Sequence, residues 1–307
     1  MHISKALPSS TPTLTHAALA LTVLLWTSNF IVGRAVHEDV APATLNFLRW
    51  SLALLVLVLV PLTLPQLRQH RVLLARHWKL VALLGFTGIA AFQTLGYVAL
   101  TMTTAMNSIL LLSLAPLAIV ALSWLAHGER LTPRQGLGLA TSLAGAVVLI
   151  LHGDWATLTE LRFNAGDLTM LAAVVLWAVY SVLLRRRPAE LPPLALHTTS
   201  VAAGTLFMVP AAGWQVAQGS GLPGSASTWA AIVFIAIFSS ALAHALWVRS
   251  VAAIGANRAG VYIHLMPMFG AVLAIGFLGE QLAPYHLGGA LLVLMGVVLT
   301  SRPSAPR

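Results

Sequence analysis

The chain contains no cysteine. Disulfides, thiolate nucleophiles and Cys-based metal sites are therefore excluded, and the redox compartment leaves no trace in the sequence. Charge is nearly as scarce. Asp, Glu, Lys and Arg together make up 8% of the 307 residues, against about a quarter in soluble domains. A soluble protein of this size could not cover its surface with so few. Only eight residues are acidic, and none falls in the middle of an apolar run. Alternating apolar stretches of about ten residues, the mark of a membrane barrel, are missing too. What remains is apolar, 58% of the chain, with a mean hydropathy of +0.87. The fold class expected is an all-α membrane protein, with the lipid bilayer as its first partner.

A helix needs about 20 apolar residues to cross the hydrocarbon core. Ten transmembrane helices are predicted, over about 14–35, 42–64, 78–100, 105–126, 133–151, 167–185, 191–213, 229–250, 256–278 and 284–301. The first run is too long for a signal peptide and lacks a small-residue cleavage site, so it is expected to be retained. With the N-terminus inside, the inner ends hold Lys5, Arg68, Arg71, Arg76, Lys79, Arg130, Arg134, Arg185, Arg186, Arg187, Arg249, Arg258, Arg302 and Arg307; the outer ends hold Arg34 and Arg162. This positive-inside asymmetry predicts cytoplasmic termini and a place in the inner (plasma) membrane. It also explains the net charge of +9 without nucleic acid as a partner.

Trp26, Arg34, Pro42, Trp78, Pro116, Gly128, Glu129, Pro133, Gly138 and Gly145 recur as Trp177, Arg185, Pro193, Trp229, Pro267, Gly279, Glu280, Pro284, Gly289 and Gly296, all at one offset (280 − 129 = 151). The chain is a duplication, with residues 1–151 and 152–307 as its copies. Five spans in each copy force the second to enter the membrane in the opposite orientation. An inverted five-plus-five repeat enclosing one site near the midplane is the construction of secondary transporters. One pseudo-symmetric chain is expected to work as a monomer on a small-molecule substrate, whereas channels build pores from rings of subunits.

The strings from Pro116 to Gly145 and from Pro267 to Gly296 each run helix, Gly-Glu, a Leu-x-Pro turn and a Gly-rich helix. Together with Leu25 to Phe30, Arg49-Trp50, Gly166 to Leu168 and Leu176 to Ala178, they resemble the EamA domain of the drug/metabolite transporter superfamily. The resemblance covers about residues 14–301. It implies ten helices, an inverted repeat and the movement of small metabolites. Chain length and an aromatic-lined first span are similar to those of the aromatic amino-acid exporter branch. The function expected is therefore alternating-access export of amino acids, aromatic ones included; export of drugs or other metabolites, with or without proton coupling, is the alternative.

Polar and aromatic groups at midplane depth are costly in lipid, so they face a cavity or another helix. The substrate-binding candidates are Trp26 with Asn29, Trp177 with Tyr180, Gln93 with Tyr97, His244 with Trp247, Asn107 and His264; Ser108 and Tyr262 lie beside them. Trp26 and Trp177 could instead anchor at the lipid interface, as Trp commonly does. Arg49 lies in the outer half of the second span. It could meet a solute carboxylate, but pairing with Glu38 or Asp39, or snorkelling to the interface, is the simpler expectation. Glu129 and Glu280 are expected to accept backbone N–H groups at the start of the following helices. Pro116 and Pro267 are expected to kink the fourth and ninth spans and to serve as hinges.

No HxxxH or HExxH spacing and no Gly-rich phosphate loop occurs, so no metal, no cofactor, no ATP drive and no enzymatic activity are expected. Without a mid-span carboxylate, facilitated diffusion is expected rather than ion coupling; His244 and His264 are what remains for proton handling.

Overall fold

A computed structural model describes residues 12–36, 39–103, 105–156, 164–219, 222–278 and 281–301. In chain order its helices are α1 (Pro12–Ala35), α2 (Pro42–Leu59), α3 (Thr63–Gln69), α4 (Arg71–Arg76), α5 (Trp78–Leu84), α6 (Phe92–Leu100), α7 (Ala105–Leu112), α8 (Ala115–His127), α9 (Pro133–Ile150), α10 (Ala165–Leu183), α11 (Pro193–Ala217), α12 (Ala226–Phe234), α13 (Ala243–Ile254), α14 (Ala256–Gly260), α15 (Leu265–Leu278) and α16 (Pro284–Ser301). No strand occurs among the described residues. The protein is all-helical.

Eight helical stretches among the described residues are long and apolar enough to cross a membrane. The fifth and ninth predicted spans are not among them. Helix α9 opens on Arg134 and Gln135, which dilute its apolar run. The ninth is divided into α14, a tight 3₁₀ turn over Val261–His264, and α15.

Helix starts are set by local chemistry. Thr132 and Gln135 form a reciprocal capping box on α9, and Asn164 and Asp167 form another on α10. Glu129 therefore does not cap α9, contrary to expectation. Helix α2 has no side-chain cap of its own; Gln215 Oε1 accepts from Ala43 N at 3.0 Å and Thr44 N at 3.1 Å. Gln215 lies within the last turn of α11 and thus ties α11 to α2.

The two copies interlock. Helix α1 packs on α13 and, equivalently, α10 on α6; α2 lies along α11, and α9 along α16. In the last pair Gly138 faces Gly296 and Gly145 faces Gly289, so the two helices run antiparallel. A Cβ at Gly145 would fall 2.6 Å from Val293 N and 2.7 Å from Gly289 O. Only glycine lets these backbones approach so closely, and such approach supplies the dispersion energy that holds helices together in lipid. Equivalent residues also meet at Trp26 and Trp177, with ring centroids 5.0 Å apart, and at Ser113 and His264, with Ser113 O 2.9 Å from His264 Nε2. Partners related by a two-fold touch only near its axis, so these contacts mark where that axis runs.

Both copies break regular helix geometry at matching places. π-helical turns cover Gly85–Ala91 and Ile235–Leu242, ending 242 − 91 = 151 residues apart. Such turns are rare and cluster at functional sites. Pro116 and Pro267 do not kink continuous helices. Pro116 is the second residue of α8 and Pro267 the third of α15, each just after a break. A proline in a first helical turn has no intrahelical partner to lose.

Trp78, Trp124, Trp155 and Trp214 are exposed, as interfacial anchors would be. Trp26, Trp50, Trp177 and Trp247 are buried. The anchor reading of Trp26 and Trp177 is thereby ruled out.

Candidate functional site

The axis runs through an aromatic cluster. Trp177 meets Trp26 edge-on, lies 4.9 Å from Phe92, and both indoles lie 5.3 Å from Trp247. The π turn over Ile235–Leu242 carries Ser239, whose carbonyl accepts from Trp26 Nε1 at 3.2 Å. His244 Nδ1 lies 3.3 Å from the same indole nitrogen and 3.0 Å from the same carbonyl. With Nδ1 bare, the imidazole can accept from Trp26; with Nδ1 protonated it donates to Ser239 instead. His244 thus fixes the indole from behind, and His197 stacks on it at 6.2 Å.

Beside this cluster lies Arg49, 1% exposed. Its Nη1 donates to Asn29 Oδ1 at 2.8 Å and to the Tyr97 hydroxyl at 2.7 Å, and that hydroxyl reaches Asn29 Oδ1 at 3.3 Å. The guanidinium lies 5.3 Å from the Trp50 ring and 5.6 Å from the Tyr97 ring. Its Nε has no hydrogen-bond partner, and no carboxylate among the described residues pairs with it. Asp39 accepts instead from Thr228 Oγ1 at 2.6 Å; Glu38 lies outside the described residues. Arg49 neither snorkels nor pairs with Asp39. It is a buried cation held by neutral groups, an arrangement that costs several kcal/mol without a counter-charge.

Trp26, Asn29, Arg49, Phe92, Gln93 and Trp177 all line one small cavity of about 30 Å³. That is room for about one water molecule. The side chains are gathered around a narrow space that must widen to admit a solute.

Of the candidates, the structure brings Trp26, Asn29, Gln93 and Trp177 to this cavity, with Tyr97 behind Arg49 and His244 and Trp247 behind the indoles. The Tyr180 ring borders the same cluster, 5.2 Å from Trp177, and packs against Gly88, where a Cβ would strike it. Two others are engaged elsewhere. Asn107 Nδ2 donates to Asp167 Oδ1 at 3.2 Å, bracing the start of α10. His264 bridges Ser113 O and Ser142 Oγ across the repeat, the latter at 2.7 Å. Of their two neighbours, Ser108 is buried, and Tyr262 pairs with His16 Nδ1 at 2.6 Å. Phe92, Ser239 and His197 were not foreseen. For His197 a signal existed: the offset pairs it with Asn46 (197 − 46 = 151), two polar groups at one depth.

Glu129 has a role no cap assigns. It forms an ion pair with Arg185, and its Oε2 accepts from Asn257 Nδ2 at 3.2 Å. Both partners belong to the other copy. Glu280 lies outside the described residues. No group of three His, Asp or Glu side chains suited to a metal occurs among the described residues.

A buried guanidinium with no carboxylate partner among the described residues, beside stacked aromatic rings, is suited to a carboxylate attached to a flat or aromatic body. Comparison with known proteins agrees in class. The EamA-like transporter family matches residues 13–151 and again 164–302. An uncharacterized transporter of Archaeoglobus fulgidus is 30% identical over 94% of this chain and 97% of its own length. A protein named a probable terminal-alkyne amino-acid exporter, from Streptantibioticus cattleyicolor, is 29% identical over 94% of each chain. A solved crystal structure shares the fold with a TM-score of 0.75, covering 94% of this chain and 96% of that one at 22% identity. With both copies matched in order, and with membrane-spanning helices throughout, the chain belongs to the EamA-like transporter family.

Proposed function

We propose that this multi-pass membrane protein is an alternating-access carrier that exports amino acids, aromatic ones among them, across the inner membrane. Its two copies cross as ten helices in an inverted five-plus-five repeat, with both termini in the cytoplasm. The antiparallel run of α9 and α16 supports that inversion. The observation that carries the substrate class is Arg49: burying a lone cation beside the axis is costly, and a solute carboxylate is the counter-charge that would offset it. The rings of Trp26, Trp177 and Phe92 then face the side chain of the solute. The relative named an amino-acid exporter supports the same class. Cationic drugs are disfavoured, because Arg49 would repel them. No carboxylate lies mid-span among the described residues, which supports movement along the solute's own gradient.

Counterflow in liposomes tests this directly. Tryptophan and phenylalanine are expected to exchange, while tryptamine, which lacks the carboxylate, is not carried. Equal flux of tryptophan and tryptamine would overturn the reading. Trp26→Ala and Trp177→Ala are each expected to raise KM about 10-fold, the scale of one aromatic contact in a desolvated site. An unchanged KM in both variants would remove the indoles from the site.

A further inference from the structure

A larger cavity, of about 560 Å³, lies at the Arg-rich end of the bundle. Its size is that of a small-molecule site, and its volume far exceeds that of the central cavity. Both copies line it: Glu129, Arg130 and Gln135 from the first, and Arg185, Arg187, Asn257 and Arg258, among others, from the second. Four guanidiniums therefore face one carboxylate.

Their commitments differ. Arg187 is spent on backbone carbonyls of Pro188, Ala189 and Leu191. Arg185 is held by Glu129. Among the described residues, neither Arg130 nor the half-buried Arg258 forms a hydrogen bond or an ion pair. The positive-inside rule asks only that cations lie on this side of the membrane. It does not ask that two uncommitted ones face a cavity shared by both copies.

We propose that this basic cavity is a docking site for an anionic oxygen group, namely the carboxylate of the exported solute, occupied from the inner face before the centre opens. The inference rests on the export reading given above. Two open guanidiniums focus the field at the mouth and raise the local concentration of anions. A solute carboxylate is chemically the same group as the Glu129 side chain, so it can take Glu129's place on Arg185. That exchange unfastens the pair joining the end of α8 in one copy to the end of α10 in the other. Solute arrival and release of the inner closure become one event.

The exchange gives the two kinds of variant opposite signs. In oriented proteoliposomes, initial tryptophan flux is measured from the Arg-rich face and from the opposite face. The double variant Arg130→Gln with Arg258→Gln is expected to raise KM about 10-fold from the Arg-rich face and to leave KM from the other face unchanged. Glu129→Gln, which frees Arg185, is expected to lower KM from the Arg-rich face. A purely structural ion pair would make Glu129→Gln harmful instead, and that result overturns the proposal. Added salt is expected to raise the wild-type KM and to leave the double variant nearly insensitive. The same assays are run in phosphatidylcholine vesicles with and without phosphatidylglycerol. A variant effect that appears only with phosphatidylglycerol would assign the cavity to lipid phosphate and overturn the proposal. If wild-type protein carries no tryptophan at all, the export reading fails; if it does and the variants match it, only the docking site fails.

Discussion

Arg49→Met is expected to abolish counterflow of carboxylate-bearing solutes while the protein stays folded, with a thermal midpoint at or above that of the wild type. The two effects share one cause. A buried cation loses its hydration, and the hydrogen bonds to Asn29 and Tyr97 return only part of that loss because both partners are neutral. Methionine keeps much of the apolar stem and discards the charge. Asn29 and Tyr97 can still bond each other, since they lie 3.3 Å apart. Replacing buried charge by a well-packed apolar side chain is commonly neutral or stabilising, by about 1–4 kcal/mol. The solute, by contrast, loses a charge-assisted contact in a water-poor cavity, worth about 2 kcal/mol or more, so affinity should fall at least about 30-fold. Arg49→Lys, which keeps the charge but not the planar fork, is expected to fall between. Thermal unfolding in detergent and counterflow of tryptophan are the two measurements. A methionine variant that unfolds would make Arg49 a structural strut, and one that transports normally would remove it from the site.

Gly145→Val is expected to yield no folded protein. The added carbon atoms would enter the backbone of α16 at Val293 N and Gly289 O, and backbone cannot swing aside as a flexible side chain can. Helices α9 and α16 would have to separate along a seam shared by the two copies. Losses above about 4 kcal/mol are exceptional for one substitution and follow from overpacking of this kind. Gly136→Ala, in the same helix but with nothing within 4 Å of the new methyl, is the matched control. It is expected to stabilise the protein by about 0.5–1 kcal/mol, the helix preference of Ala over Gly. Size-exclusion profiles and thermal midpoints of the pair decide the matter; a monodisperse Gly145→Val protein would show that the seam is not tight.

Several features were visible in the residues before any packing was known. Trp26 and Trp177 stood out as cavity candidates because two indoles share one repeat position at mid-span depth, although interfacial anchoring was the other use open to them. The glycines at 138 and 145 recur at 289 and 296 at the common offset, and a spacing of seven sets both on one helix face. The tight turn over Val261–His264 and the π turns at Gly85–Ala91 and Ile235–Leu242 were not visible. Hydropathy reports only whether a side chain tolerates lipid, and a shift of hydrogen bonding from i−4 to i−5 changes no residue's hydropathy. Asn107 misled for a related reason: it is polar at a suitable depth, yet its amide is engaged by the carboxylate of Asp167.

The sequence by itself determined that the protein is helical, membrane-embedded and duplicated, because charge content, apolar run length and a constant offset are sums or spacings along the chain. Only the tertiary structure decided that Arg49 faces inward with no counter-charge among the described residues, and that Glu129 joins one copy to the other. In a bundle whose helices are apolar toward lipid and toward each other, no stripe of hydrophobicity marks the inner face. The rotation of α2 about its own axis is set by its fit against α11, and that rotation chooses between an interfacial arginine and a buried one.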